Sequence, residues 1–124
     1  MIPVEAVYLY KEGNQIGLRT DAGNYGIGTT IEEAVQNMHE GAPGYLFLDT
    51  ADFLLVAEET TENLPGIKAY LKSGIYLCMA EKDIDMEKAA AYLSVHRPSV
   101  KLKEWNKGTK LEKLYAMGEQ MYLE

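Results

Sequence analysis

The hydrophobic pattern changes period several times along this chain. Val4-Glu5-Ala6-Val7-Tyr8-Leu9-Tyr10 has strand character, and Glu12-Gly13-Asn14 supplies turn residues before Gln15-Ile16-Gly17-Leu18-Arg19-Thr20. The opening therefore predicts a β-hairpin. Ile31, Ala34, Val35 and Met38 then fall at helical spacing, predicting an amphipathic helix that ends near Gly41. Two near-continuous apolar runs, Tyr45-Leu46-Phe47-Leu48 and Phe53-Leu54-Leu55-Val56-Ala57, read as buried strands joined by the polar turn Asp49-Thr50-Ala51-Asp52. A helix is expected over 62–72, with Pro65 in its first turn and Gly74 behind its end. A further buried strand follows over 75–80.

Asp85 is placed to cap a helix whose inward face carries Met86, Ala89, Ala90 and Leu93, and Pro98 closes that unit. Val100-Lys101-Leu102-Lys103-Glu104-Trp105 alternates as a half-exposed strand does. Leu111, Leu114, Tyr115, Gly118, Met121 and Tyr122 trace one face of a predicted C-terminal helix. Strands alternating with helices of this length predict an α/β (α+β) fold. We expect a single globular domain over 1–124, a mixed sheet of about five or six strands, about four helices packed on it, and right-handed crossovers.

Length and composition fit that reading: 124 residues make one domain, 47% hydrophobic and 25% charged. No apolar run approaches the length of a membrane span, and MIPVEAVYLYKEG lacks the features of a signal peptide. The expected location is cytoplasmic, or extracytoplasmic if the sequence is a trimmed piece. A net charge of −7 argues against a nucleic-acid partner. Against that background Lys101, Lys103, Lys107, Lys110 and Lys113 form a local basic stretch, interrupted by Glu104 and Glu112. Edge lysines block unwanted strand pairing, and the same stretch offers steering toward an acidic partner. Cys78, the one cysteine, lies in the apolar run Ile75-Tyr76-Leu77-Cys78-Met79-Ala80 and reads as a buried, inert thiol.

The stretch Gly23-Asn24-Tyr25-Gly26-Ile27-Gly28-Thr29-Thr30-Ile31-Glu32-Glu33 raises the question of a phosphate loop. Ile31 stands where a dinucleotide fingerprint needs its third glycine, and no Gly-Lys-Ser/Thr follows. Thr29-x-x-Glu32 and Thr30-x-x-Glu33 are both capping boxes, and their glutamates would repel an incoming phosphate. The loop is therefore expected to be structural, with no cofactor. His39 and His96 lack metal-ligand spacing; His39 is expected near the last carbonyls of its helix, His96 in a loop. Asp49 and Asp52 flank a turn and form the candidate acid/base or cation pair of a small hydrolase or cation-dependent enzyme, although turns select Asp for its backbone hydrogen bonds. Gly-x-Ser-x-Gly is absent.

Nine tyrosines and six methionines favour protein contacts where they are exposed. The expected contact surface comprises the strand residues Tyr8 and Tyr10, the terminal residues Leu114, Tyr115, Met117, Met121 and Tyr122, and the steering residues Lys101, Lys103 and Lys107. Its partner would be another protein or a second copy in a homodimer.

Several segments, read in order, carry a family pattern. Gly28-Thr29-Thr30-Ile31-Glu32-Glu33-Ala34 matches a Gly-x-Thr-apolar-x-x-Ala helix entry. The apolar runs Tyr45-Leu46-Phe47-Leu48 and Phe53-Leu54-Leu55-Val56-Ala57 end in the acidic step Glu58-Glu59, and a helix–strand–helix order follows. In these segments the sequence resembles the N-terminal domain of the Ger(x)C family, the lipoprotein subunit of bacterial spore germinant receptors. It departs from that pattern at Asp49-Thr50-Ala51, where a His-containing turn is expected, and has no N-terminal lipid-bearing cysteine. The resemblance implies a non-catalytic domain working through protein contacts, connected with sporulation or germination in a Firmicute-like bacterium.

Overall fold

Apolar runs this continuous need cover on both faces, and the computed structural model, which describes all 124 residues, provides it. The strands are β1 (Ile2–Pro3), β2 (Ala6–Glu12), β3 (Gln15–Thr20), β4 (Tyr25–Gly28), β5 (Leu46–Phe47), β6 (Phe53–Val56), β7 (Tyr76–Ala80), β8 (Val100–Lys101), β9 (Lys113–Met117) and β10 (Gln120–Leu123). The helices are α1 (Ile31–Gly41), α2 (Leu64–Ile67) and α3 (Met86–Val95). The mixed α+β fold is as expected, with more strands than anticipated and one helix fewer.

The main sheet runs β10-β9-β7-β6-β2-β3-β4. β2, β6, β7 and β9 are mutually parallel, with Leu9 opposite Val56 and Val56 opposite Met79. The β2–β3 and β9–β10 pairs are antiparallel hairpins. β8 and β9 share one side of β7. β8 pairs antiparallel with its beginning, at Tyr76 and Leu77, and β9 parallel with its end, at Met79 and Ala80. β1 and β5 form a separate two-stranded parallel ladder.

Alternation along the strands divides the core in two. Val7, Leu9, Leu54, Val56 and Leu77 face α1 and α2, whereas Ala6, Tyr8, Leu55, Cys78 and Ala80 face α3. The result is a sheet between two helical layers. α1 begins where Thr30 Oγ1 accepts the Glu33 N–H at 3.1 Å, and α3 where Asp85 Oδ1 accepts the Lys88 N–H at 3.1 Å. Glu33 reaches back to the N–H and hydroxyl of Thr29, not to the N–H of Thr30.

Four expectations are corrected. The glycine stretch is not a loop: Gly26 and Gly28 lie within β4, under α1. A Cβ on Gly26 would sit 2.2 Å from the Ala34 carbonyl oxygen, and one on Gly28 2.8 Å from the Ala34 nitrogen. Helix and strand backbones touch there, which is why the positions are glycine. The helix expected over 62–72 is broken into 3₁₀ turns at Glu58–Asn63 and Lys68–Tyr70 around the single turn of α2. Pro65 has no N–H to give, and a Cβ on Gly66 would meet Ile31 Cδ1 at 3.1 Å. The strand expected over 100–105 stops at Lys101 and tightens into a 3₁₀ turn, Leu102–Glu104, that buries Leu102.

The predicted C-terminal helix is the β9–β10 hairpin. Gly118 adopts φ +59°, and the two-residue loop Gly118-Glu119 repeats Gly13-Asn14, whose glycine has φ +62°. A glycine at positive φ in the first place of a two-residue loop suits the twist of a hairpin and would break a helix.

Candidate functional site

The largest cleft, about 480 Å³, opens at the carboxyl ends of β6 and β7, where open parallel sheets commonly receive ligands. Ala57, Glu58 and Glu59 follow β6 directly, Glu81 and Lys82 follow β7, and Lys110, Leu111, Lys113, Tyr115 and Glu124 close the other side. The walls are tied together locally. Lys113 Nζ lies 2.6 Å from Glu81 Oε1 and 5.2 Å from the centroid of the Tyr115 ring. The hydrogen bond that Lys113 donates to the Glu81 carboxylate holds its ammonium above its ordinary pKa. Thr60, wholly buried, donates to the Leu9 and Ala57 carbonyls and fixes the turn bearing Glu58 and Glu59. Glutamates and lysines dominate the polar lining, so the cleft presents mixed charge. The sequence signal for this site is an acidic step directly after each apolar run, Glu58-Glu59 and Glu81.

Beside the cleft stands the C-terminal hairpin. Tyr115 and Tyr122 are cross-strand partners whose rings stack at 5.1 Å with 16° between planes. Met117 is 66% exposed, and Tyr122 also faces solvent. Met121 and Leu123 are half-buried on the opposite face, packed against the layer that contains α3. Only Lys113 and Leu114 of β9 pair with β7, so Tyr115, Ala116 and Met117 reach past its end.

The structure thus gathers Tyr115, Met117 and Tyr122 on one face of the hairpin, turns Met121 to the other face against the core, and disperses the remainder of the expected contact surface. Tyr8, Tyr10 and Leu114 are buried, at 0%, 7% and 0% exposure. β2 runs between the two helical layers, so both of its faces are covered. Tyr8 donates its hydroxyl to the Ala80 carbonyl at 2.8 Å, stacks on Tyr10 at 5.6 Å, and carries the Arg19 guanidinium 5.1 Å above its ring. Burial pushes its phenol well above the ordinary tyrosine pKa. Lys101 lies at the beginning of β7, 5.5 Å over the Tyr76 ring, with Lys103 and Lys107 on the turns that follow. Lys101 and Lys103 sit at the end of β7 opposite the hairpin.

Asp49 and Asp52 line different clefts. Asp52 pairs with Lys72 at 2.5 Å beside Glu5 and Arg97, whereas Asp49 borders a shallow site with His39, Tyr45 and Tyr70. The two carboxylates do not meet across one cavity. His39 leans on Tyr45 at 5.8 Å, and its carbonyl accepts the Ala42 N–H; His96 stacks on Tyr92 at 4.5 Å. Cys78 is fully buried, and burial pushes its thiol up to about 12. No group of three or more His, Cys, Asp or Glu side chains is gathered to hold a metal ion, and no helix is long and apolar enough to cross a membrane. Comparison with protein-family models, curated proteins and solved structures finds no match to the chain.

Proposed function

We propose that this chain is a non-catalytic protein-binding domain whose contact element is the C-terminal hairpin β9–β10. The observation that carries the reading is the convergence of Tyr115, Met117 and Tyr122 on one face of a hairpin that overhangs the end of the sheet. Tyrosine supplies contact area at low entropic cost, methionine adapts its shape to a partner, and exposed apolar side chains clustered on one element favour association. A role in spore germination belongs to the same proposal and rests on the resemblance of the helix entry and apolar runs alone.

The test is site-specific photocrosslinking in the cells that make the protein. A photoreactive residue at Met117 should give discrete protein adducts that Tyr122→Ser removes. The same probe at Val95, 75% exposed on α3, should not. Equal labelling from both positions, or none from Met117, overturns the reading.

A further inference from the structure

The two edges of the main sheet are finished differently. At the β4 edge, the bond from the Thr20 N–H to the Asn24 carbonyl sets the phase of the ladder. Residues 18 and 26 then exchange hydrogen bonds, and the Ile27 carbonyl points outward. Asn37 of α1 donates its side-chain amide to that carbonyl at 2.8 Å, and the helix lies directly on the strand. This edge is closed to another strand.

At the other edge, Lys113 and Glu124 exchange both backbone hydrogen bonds, at 2.9 and 3.0 Å. Alternation makes Tyr115–Tyr122 and Met117–Gln120 bonded pairs as well, so the N–H and C=O groups of Met121 and Leu123 point away from β9. β10 has β9 as its sole strand neighbour.

We infer that β10 is a docking edge for an extended segment of a cationic protein partner, added as a further strand of the sheet. The inference rests on the protein-binding reading above and names its mode and partner. Charge selects the occupant. β10 is bounded by the exposed Glu119 and Glu124, and the chain carries −7 overall, so a second copy would bring like charge against like. The face shared by Tyr122 and Glu124 suits a lysine or arginine, since the Tyr115 ring stacked on Tyr122 already holds the Lys113 ammonium. The face shared by Met121 and Leu123 suits apolar side chains. The partner segment therefore alternates apolar and basic residues, as a half-buried strand does.

Two capped heptapeptides test this, one alternating valine with lysine and one valine with glutamate, each titrated into the intact protein. The lysine peptide should bind saturably, more weakly as salt rises, and the glutamate peptide should not. Met121→Pro and Leu123→Pro each delete one outward N–H while leaving the inward bonds of Gln120, Tyr122 and Glu124 in place. Each should weaken binding about tenfold, well beyond Met121→Ala and Leu123→Ala, which remove the same half-buried side chains but keep the outward N–H. The exposed pair Glu119→Lys with Glu124→Lys, which cannot disturb the core, should reverse the peptide preference. Proline variants that bind like wild type, equal binding of both peptides, or no binding would each overturn the inference. So would a wild-type dimer that Met121→Pro dissociates. Should this mode fail alone, the Met117 crosslinks persist; should the protein-binding reading fail, they are absent too.

Discussion

Thr30 and Thr29 stand side by side before α1, yet one hydroxyl caps the helix and the other does not. Thr30 Oγ1 accepts the Glu33 N–H, while the Thr29 hydroxyl donates to the Glu33 carboxylate on the surface. Thr30→Ala should therefore cost about 1 kcal/mol in urea unfolding, and Thr29→Ala distinctly less. Both boxes are equally good as sequence, because spacing alone does not say which threonine takes the extended backbone of the cap. The inertness of Cys78 is easier to read, since its neighbours are apolar on both sides. Its folded pKa is raised from 9.0 to about 12, so the native thiol keeps a proton that the unfolded chain gives up. The stability this supplies is whole below about pH 9 and is lost as pH climbs toward 12. The difference in urea midpoint between the wild type and Cys78→Ala should shrink across that window, and Cys78 should react with thiol reagents only on unfolding.

At the scale of elements, the glycines of β4 explain more than their composition announces. A Cβ at Gly26 would strike α1 backbone at Ala34 and Met38, which no side-chain rotation relieves. Gly26→Ala should cost about 2–3 kcal/mol by thermal or chemical denaturation. Gly41, with nothing within 4 Å of its would-be Cβ and no positive φ, should accept Ala with a gain of about 0.5–1 kcal/mol. β2, β3, α1, β6, β7 and α3 are legible because period, caps and turn residues agree there. The C-terminal element is not, because Leu111, Leu114, Tyr115, Gly118, Met121 and Tyr122 satisfy a helical period while all of them but Leu111 build a hairpin. The deciding cue is Gly118-Glu119, the counterpart of Gly13-Asn14, placed midway between two apolar runs. The site was legible only where those residues stayed exposed. Tyr8 and Tyr10 alternate as surface residues do, and only the neighbours β3 and β6 make β2 an interior strand. Gly118→Val should strain the turn and lower stability by about 1–2 kcal/mol, since its φ of +59° suits no β-branched residue.

Across the whole molecule, order is unevenly anchored. β2, β6 and β7 pair along nearly their full lengths and carry helices on both faces, whereas β9 joins β7 through Met79–Lys113 and Ala80–Leu114 alone. That narrow attachment makes the last dozen residues a separate opening unit, able to detach while the central strands stay closed. Native-state hydrogen exchange should show it. Amides of Tyr115 and Tyr122 should exchange through a low-energy opening, and those of Leu9, Leu55 and Leu77 only through global unfolding. Uniform protection throughout would refute the subdivision. A strand laid along β10 pairs only with the ordered hairpin, and both hairpin opening and global unfolding shed it, so its arrival would register as slowed exchange at Tyr115 and Tyr122 and, by the same factor, at Leu9, Leu55 and Leu77.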